Sequence, residues 1–215
     1  GLYFSVGNEE NKSIITLVGT DGHRLAKFSH YIDDNVDQIS GVIIPKKTIY
    51  ELSKLLSEVN KDIEISVSTS KIIFFIDEII FISKLIDGSF PDYKRVIPKD
   101  NTNILKISRE KLLSAVDRVS TIANEKSPVV KFKLLENILN LNTINNESST
   151  ASEDLKINYI GDEIEIGFNS KYIMDIVNNL EDSEISINLK DNTSPITAQE
   201  NSNTNLVYVL MPMRV

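Results

Sequence analysis

The chain has 215 residues and a net charge of −8, with 23 Lys and Arg against 31 Asp and Glu. It contains no Cys and two His, which excludes disulfides, thiolate chemistry and Cys-ligated or polyhistidine metal sites. No apolar run is long enough to span a membrane, and the composition favours a reducing cytoplasm. The acidic balance argues against simple electrostatic adhesion to DNA or lipid, although it leaves room for a local basic face.

The first 40 residues are predicted to form strands around a polar turn. Residues 2–6 and 13–18 have strand character, and the cluster at 20–25 contains Asp21-Gly22, a turn signal. No helix is predicted before residue 45. These residues resemble the sheet part of a larger repeating unit.

A short pattern then occurs three times, as an apolar strand, a polar or Pro residue, and a helix with apolar residues every three or four positions. The strand and helix pairs are 42–44 with 46–58, 104–107 with 109–124, and 164–168 with 170–180. Pro45, Ser108 and Asn169 stand at the predicted helix starts, where Pro needs no hydrogen-bond donor and Ser and Asn can cap free N–H groups. These starts are 63 and 61 residues apart.

The segments between the helices alternate or form short apolar runs, which predicts strands. These lie at 63–67, 71–76, 79–85, 129–135, 138–141, 155–159, 185–189, 196–199 and 206–211. Residues 145–154 and 201–205 are predicted as polar loops, and 90–98 as an extended connector between two domains. The repeating unit is therefore β-α-β-β-β, about 60 residues long. Because the first 40 residues lack the strand and helix of such a unit, we expect this chain to be the C-terminal part of something longer.

The polar turn at 20–25 is a candidate site. Asp21 could orient His23 as a base, but the sequence offers no matching nucleophile, so a structural or binding role is favoured over catalysis. There is no phosphate-binding glycine loop and no calcium-binding loop, so the sequence predicts no cofactor, no metal and no hydrolase or transferase chemistry.

Two further features leave a structural and a binding interpretation open. At the C-terminus, Met211 and Met213 flank Pro212, which suits either an adaptable apolar binding surface or a buried edge strand. The helices at 46–58 and 109–124 each carry three basic and two acidic residues. The segment 170–182 carries one basic and three acidic residues. The positive helices could be solvated faces or could face a phosphate backbone.

Five segments together strongly resemble the family of bacterial replicative sliding clamps, the beta subunits of DNA polymerase III. They are residues 20–26, 84–98, 123–126, 166–172 and 208–214, and they follow the order of the family across the whole chain. The resemblance implies an α+β DNA-clamp fold of repeated β-α-β-β-β units, with sheets outside and helices lining a central hole. It also implies an incomplete middle domain over 1–96, lacking its opening strand and helix, and a complete C-terminal domain over 97–215.

The function implied by the resemblance is that of a non-catalytic processivity factor of the replicative polymerase. In such clamps, two full-length chains form a ring that holds duplex DNA topologically, without sequence specificity, and slides along it. Short peptides of the polymerase, the clamp loader and repair proteins dock on the ring. The basic helix residues are then candidates for facing DNA, namely Lys46, Lys47, Lys54, Arg109, Lys111 and Arg118.

The resemblance also implies a peptide-binding pocket where the two domains meet. Its residues here are Thr20, Gly22, His23, Arg24, Leu25, Pro91, Val96, Asn169, Tyr172, Pro195, Val209, Met211, Pro212, Met213 and Arg214. Pro195 stands where the family commonly has a small polar residue, so one contact is expected to be lost there.

Thr121 and Ile122 match the family's subunit interface, whose partner surface lies on a first domain that this sequence lacks. We therefore expect this chain to be a monomer or a non-native dimer. Two competing hypotheses are a small enzyme that uses His23 and Asp21, and a β-rich structural protein without a specific site. The missing catalytic partners argue against the first, and the C-terminal Met-Pro-Met-Arg segment argues against the second.

Overall fold

The computed structural model describes residues 1–9, 12–32, 36–59, 61–124, 128–144 and 149–214. The chain divides into two compact units. The first consists of Gly1–Asp21 and Lys27–Tyr93, and the second of Gly22–Ala26 and Lys94–Val215. The short segment Gly22–Ala26 therefore belongs to the second unit, although the chain on both sides of it belongs to the first.

The first unit contains seven strands and one helix within the described ranges. They are β1 (Leu2–Glu9), β2 (Lys12–Thr20), β3 (Arg24–Ile32), β4 (Ile39–Ile44), α1 (Lys46–Ser57), β5 (Glu64–Val67), β6 (Lys71–Ile76) and β7 (Ile79–Lys84). Strand β1 pairs antiparallel with β2 and β4, and β5, β6 and β7 form a separate antiparallel sheet. The core contains Phe4, Val6, Ile44, Leu52, Ile72, Phe74 and Ile76.

The second unit contains two β-α-β-β-β repeats. The first repeat comprises β8 (Asn103–Ser108), α2 (Arg109–Ser120), β9 (Val129–Leu135), β10 (Ile138–Ile144) and β11 (Thr150–Lys156). After the short β12 (Asn158–Tyr159), the second comprises β13 (Ile164–Asn169), α3 (Ser170–Asn178), β14 (Glu184–Leu189), β15 (Ile196–Glu200) and β16 (Leu206–Leu210).

The two repeats interlock through their first strands. Strand β8 of the first repeat pairs with β14 of the second, and β13 of the second pairs with β9 of the first. The resulting sheets have the orders β12-β8-β14-β15-β16 and β11-β10-β9-β13. Helices α2 and α3 pack against each other. Their buried apolar side chains join one core with both sheets, in which the rings of Phe132 and Phe168 meet edge to face at 5.2 Å.

The predicted helix starts are confirmed. Pro45, Ser108 and Asn169 are the N-cap residues of α1, α2 and α3. Ser108 accepts a hydrogen bond from the Lys111 N–H, and Asn169 accepts one from the Lys171 N–H. Within the hairpin turns, Asp77 and Asn137 adopt positive φ angles of 53° and 58°, a conformation that Asp and Asn tolerate better than most residues.

Some boundary predictions were wrong. Strand β11 begins at Thr150, inside the predicted polar loop at 145–154; residues 145–148 of that loop lie outside the described residues. Residues 150–154 of this strand were missed because it lies at the edge of its sheet, where alternating positions are exposed and polar; the predicted strand at 155–159 overlaps only its end. Helix α2 ends at Ser120 rather than 124, and the connector contains a 3-10 turn at Tyr93–Arg95.

The predicted repeat and fold class are confirmed. In the first unit, β4, α1, β5, β6 and β7 repeat the order of β13, α3, β14, β15 and β16. Strands β1, β2 and β3 precede them as β9, β10 and β11 precede β13. The first unit shows no counterpart of β8 and α2 among the described residues, so β5 lacks the neighbour that β14 has in β8. No helix in the described ranges is long and apolar enough to cross a membrane.

Candidate functional site

The polar turn after β2 is tied to the C-terminal strand of the second unit. Gly22 has a φ of 88°, a left-handed conformation that glycine adopts at low cost, and it redirects the chain into β3. The carbonyl oxygen of His23 accepts a hydrogen bond of 2.9 Å from the N–H of Met211. Leu25, the residue after Arg24, is 3% exposed, and its buried side chain fixes the backbone on that side of Arg24. The backbone around Arg24 is thus anchored on both sides.

The side chain of Arg24 makes two contacts with helix α3. Its guanidinium nitrogen lies 2.6 Å from a carboxylate oxygen of Asp175, and its central carbon lies 4.4 Å from the centroid of the Tyr172 ring. The His23 ring is nearly parallel to the same tyrosine ring, with centroids 6.3 Å apart. Because Tyr172 and Asp175 are three residues apart in a helix, they lie on one face. One helix turn therefore holds both partners of Arg24.

The residues around Pro212 are held on both sides. Met211 donates its N–H to His23, and Met213 donates its N–H to the carbonyl oxygen of Gly167 at 2.8 Å. The side chains of Met211, Pro212 and Met213 are partly buried, whereas Val209 is buried within β16. The C-terminus thus combines the two interpretations left open by the sequence: a strand up to Leu210, followed by a partly exposed apolar segment.

The structure brings only some of the predicted pocket residues together. His23, Arg24, Tyr172 and Met211 are directly connected, and we call these four residues together with Asp175, Met213 and Gly167 the Arg24 cluster. Gly22 and Leu25 flank it in the chain. Asn169 caps α3, which carries Tyr172. The described contacts of Pro195 are made through the backbone. Its carbonyl oxygen accepts a hydrogen bond from the side chain of Asn101, and the next residue, Ile196, pairs with Leu210.

Four predicted pocket residues remain, namely Thr20, Pro91, Val96 and Arg214. Thr20 and Pro91 belong to the first unit. Val96 is partly buried in the second unit, and Arg214 is exposed. Their part in a binding site stays a prediction.

The basic residues predicted to face DNA differ in how their charges are balanced. On α1, Lys46 and Lys47 are exposed in the first turn. Lys54 lies 3.6 Å from a carboxylate oxygen of Glu51, and its ammonium lies 4.1 Å from the centroid of the Tyr50 ring. Helix α1 is thus basic in its first turn, at Lys46 and Lys47, and partly neutralised in its last turn, at Lys54.

On α2, Arg109 and Lys111 lie in the first turn, and Arg118 lies in the last. Two guanidinium nitrogens of Arg118 meet the two carboxylate oxygens of Glu153 at 3.0 and 2.5 Å. This hydrogen-bonded pair lowers the pKa of the Glu153 carboxyl and raises the pKa of Arg118. The charge of Arg118 is therefore largely offset by Glu153.

The predicted subunit-interface residues directly follow α2. The N–H and hydroxyl of Thr121 donate to the carbonyl oxygens of Arg118 and Asp117, which ends the helix. Ile122 is partly buried. Residues 125 and 126 of the neighbouring motif lie outside the described residues. Within the described ranges, no three His, Asp or Glu side chains are grouped to hold a metal ion.

Comparison with known families accounts for both units. Residues 94–214 match the family model of the DNA polymerase III beta subunit, C-terminal domain, and residues 1–92 match the model of its central domain. The chain belongs to the DNA polymerase III beta subunit family. The resemblance drawn from five short motifs is thereby confirmed over almost the whole chain.

Curated clamps cover the whole of this chain. The beta sliding clamp of Caulobacter vibrioides is 37% identical over 215 residues, which is 100% of this chain and 58% of that protein. The beta sliding clamp of Escherichia coli K12 is 35% identical over 215 residues, again 100% of this chain and 57% of that protein. This chain therefore spans somewhat more than half the length of the curated clamps that it matches.

Solved clamp structures confirm the fold. The DnaN sliding clamp from Bartonella birtlesii bound to griselimycin is 42% identical with a TM-score of 0.95, covering 100% of this chain and 58% of that one. The beta subunit of Caulobacter crescentus polymerase III is 36% identical with a TM-score of 0.94, covering 100% and 57%. The α+β clamp fold is thus shared along the entire chain.

Asp175 is the site residue that the clamp motifs did not reveal. In the sequence it stands out only as one acidic charge of the third helix. Its spacing of three residues from Tyr172 was a usable signal, because such residues share a helix face. The identity of its partner, Arg24, was not available from sequence, since 151 residues separate the two.

Proposed function

We propose that this chain is part of a non-catalytic processivity factor, a clamp that encircles duplex DNA and carries a replicative polymerase in the cytoplasm. The observation that carries the proposal is the pair of consecutive family matches at 1–92 and 94–214, which together span almost the whole chain. The proposed boundary between its central domain and its C-terminal domain is at residues 96 and 97.

The DNA-facing surface proposed for this clamp consists of α1 and α2. Both helices expose basic side chains in the first turn, among them Lys46, Lys47 and Lys111. A topologically held duplex needs only weak phosphate contacts, so a few lysines on an otherwise acidic chain suffice. In the full-length clamp, two copies are proposed to close the ring, with Thr121 and Ile122 at the subunit interface.

The docking surface proposed for partner peptides is the Arg24 cluster together with Leu25, Val209 and Pro212. The aromatic face of Tyr172 and the two methionine side chains offer apolar contact, and Met adapts to several ligand shapes. The polymerase, the clamp loader and repair proteins would each supply a short apolar segment. Thr20, Gly22, Pro91, Val96, Asn169, Pro195 and Arg214 are proposed to complete this surface.

Calorimetric titration with the uncharged peptide acetyl-Gln-Leu-Ser-Leu-Phe-amide tests the docking surface. We expect saturable binding that Arg24→Ala and Met213→Ala each weaken at least about tenfold, since central interface residues carry most of the affinity. Arg118→Ala is the matched control, because Arg118 also pairs with a carboxylate in the second unit. Equal binding by the wild type and both docking-surface variants would refute this location of the surface.

The assembly proposal predicts the mass of the isolated chain. If the partner surface of Thr121 and Ile122 lies outside these 215 residues, as the family resemblance implies, light scattering of the 215-residue chain should give the mass of a monomer, or of a dimer that Ile122→Glu does not dissociate. A dimer that Ile122→Glu converts to monomer would contradict the proposal.

A further inference from the structure

The strongest unassigned feature is the contact between Arg24 and Asp175. A long side chain such as that of arginine loses much conformational entropy when it is fixed in one rotamer. Here the carboxylate of Asp175 and the ring of Tyr172 lie on one side of α3, and the side chain of Arg24 retains 31% exposure while that of Asp175 retains 57%. The pair is thus accessible from solvent, at the point where the docking surface is proposed.

We propose that Asp175 is a positioning residue that holds the Arg24 guanidinium against the ring of Tyr172, so that both present a preformed wall to the docked peptide. This proposal rests on the proposed docking function. An arginine whose guanidinium stacks on a ring leaves the other face of the guanidinium and its aliphatic stem exposed. Both surfaces can contact apolar groups of a ligand. Because Arg24 is already ordered in the free protein, peptide binding does not have to include the entropy cost of ordering its side chain.

Three observations support a positioning role rather than an incidental surface ion pair. The backbone of Arg24 is already fixed by the His23 carbonyl and by the buried Leu25, so only the guanidinium remains to be oriented. The helix that carries Asp175 is fixed by its Asn169 cap and its buried face. The nitrogen–oxygen distance of 2.6 Å is that of a strong charge-assisted hydrogen bond.

The side chain of Asp175 can be changed without disturbing the helix. It is exposed, and the hydrogen bond from Asn179 goes to its backbone oxygen, which Asp175→Asn retains. The matched control is Glu153→Gln, which neutralises the carboxylate partner of Arg118, another arginine of this unit with such a pair. Neither change creates a cavity, so both variants should fold as the wild type does.

The test is a double-mutant cycle on the affinity for acetyl-Gln-Leu-Ser-Leu-Phe-amide. Because this peptide is uncharged, loss of the Asp175 charge cannot alter affinity by direct attraction or repulsion. We expect Asp175→Asn to weaken binding about threefold to tenfold, the range of an exposed ion pair together with a cation–π contact. In the Arg24→Ala background the same change should have no effect, and Glu153→Gln should have none in either background.

A wild-type affinity in Asp175→Asn, or an equal loss in the Arg24→Ala background, would overturn the proposal. A second readout needs no peptide. In NMR spectra of the free protein, the Nε–H resonance of Arg24 should carry a ring-current shift from Tyr172 that Asp175→Asn removes. If no peptide binds the wild type, the docking function fails while this readout still decides the positioning role; a shift that persists in Asp175→Asn would refute it.

Discussion

The ring of Tyr3 occupies the space into which any side chain at position 41 would extend. A Cβ atom placed on Gly41 would lie 2.1 Å from Cε2 of Tyr3 and 2.2 Å from its hydroxyl oxygen. Tyr3 pairs with Ile43 across β1 and β4, so Gly41 is its diagonal neighbour on the same face. The Tyr3 ring in turn packs against the ring of Phe90, with the two ring centroids 5.1 Å apart. Gly41 thus allows an aromatic cluster to form over the strand.

Gly41→Ala should destabilise the chain by about 1–3 kcal/mol, the usual cost of overpacking a site that cannot relax freely. Gly7→Ala is the matched control in β1, where the nearest atom to an added Cβ is 3.9 Å away. It should be neutral or slightly stabilising. Urea unfolding followed by circular dichroism measures both. If Gly41→Ala costs the same in a Tyr3→Ala background, the ring is not the cause.

Ser108→Ala should lower the free energy of unfolding by about 1 kcal/mol, because Ser108 caps the first turn of α2. Ser114→Ala, at an exposed position in the same helix, should instead be neutral or slightly stabilising, since Ala is the better helix former. Thermal unfolding of the two variants compares them directly. Equal effects would show that the cap contributes nothing.

Asp191 should make the second unit sensitive to acid. Its carboxylate accepts hydrogen bonds from the N–H and hydroxyl groups of Thr193 and Ser194, which lowers its pKa from the ordinary 3.8 to about 2. Since the folded-state pKa is depressed, the stabilisation is complete above the ordinary value and is lost as the pH falls toward 2.

The stability difference between the wild type and Asp191→Asn should therefore shrink across that interval. Titration of the Asp191 carboxyl carbon by NMR measures the pKa itself, and Thr193→Val with Ser194→Ala should return it toward 3.8. A titration midpoint near 3.8 for Asp191 in the wild type would show that the hydrogen bonds from Thr193 and Ser194 do not lower its pKa.

Arg118 and Lys111 should contribute unequally to binding of duplex DNA. Arg118 is paired with Glu153, whereas the described residues provide no ion pair for Lys111. At low salt, Lys111→Ala should weaken binding of a 30-base-pair duplex about twofold to fivefold, and Arg118→Ala less than twofold. Glu153→Gln should strengthen binding, because it releases the Arg118 charge. Fluorescence anisotropy at several salt concentrations tests this order, and the reverse order would refute it.

Local signals predicted most helices and strands, because each signal consists of only a few neighbouring residues. The caps Pro45, Ser108 and Asn169 mark the helix starts, and Asp77 and Asn137 mark hairpin turns. Most of strand β11 escaped prediction because an edge strand with one solvent-facing side has the composition of a loop. What identifies it is seven consecutive pairs with β10, from Ile138 with Lys156 to Ile144 with Thr150, which the local composition does not report.

The sequence by itself determined the repeat, the family and the residue types of the candidate site. Apolar spacing and capping residues act over one or two turns of chain, so they can be read without knowing what lies beside them. Only the tertiary structure decided which side chains meet. The pairing of Arg24 with Asp175 and the exchange of β8 and β13 between repeats both join distant residues. Such contacts depend on how sheets and helices pack together, and packing is a property of the whole core rather than of any segment.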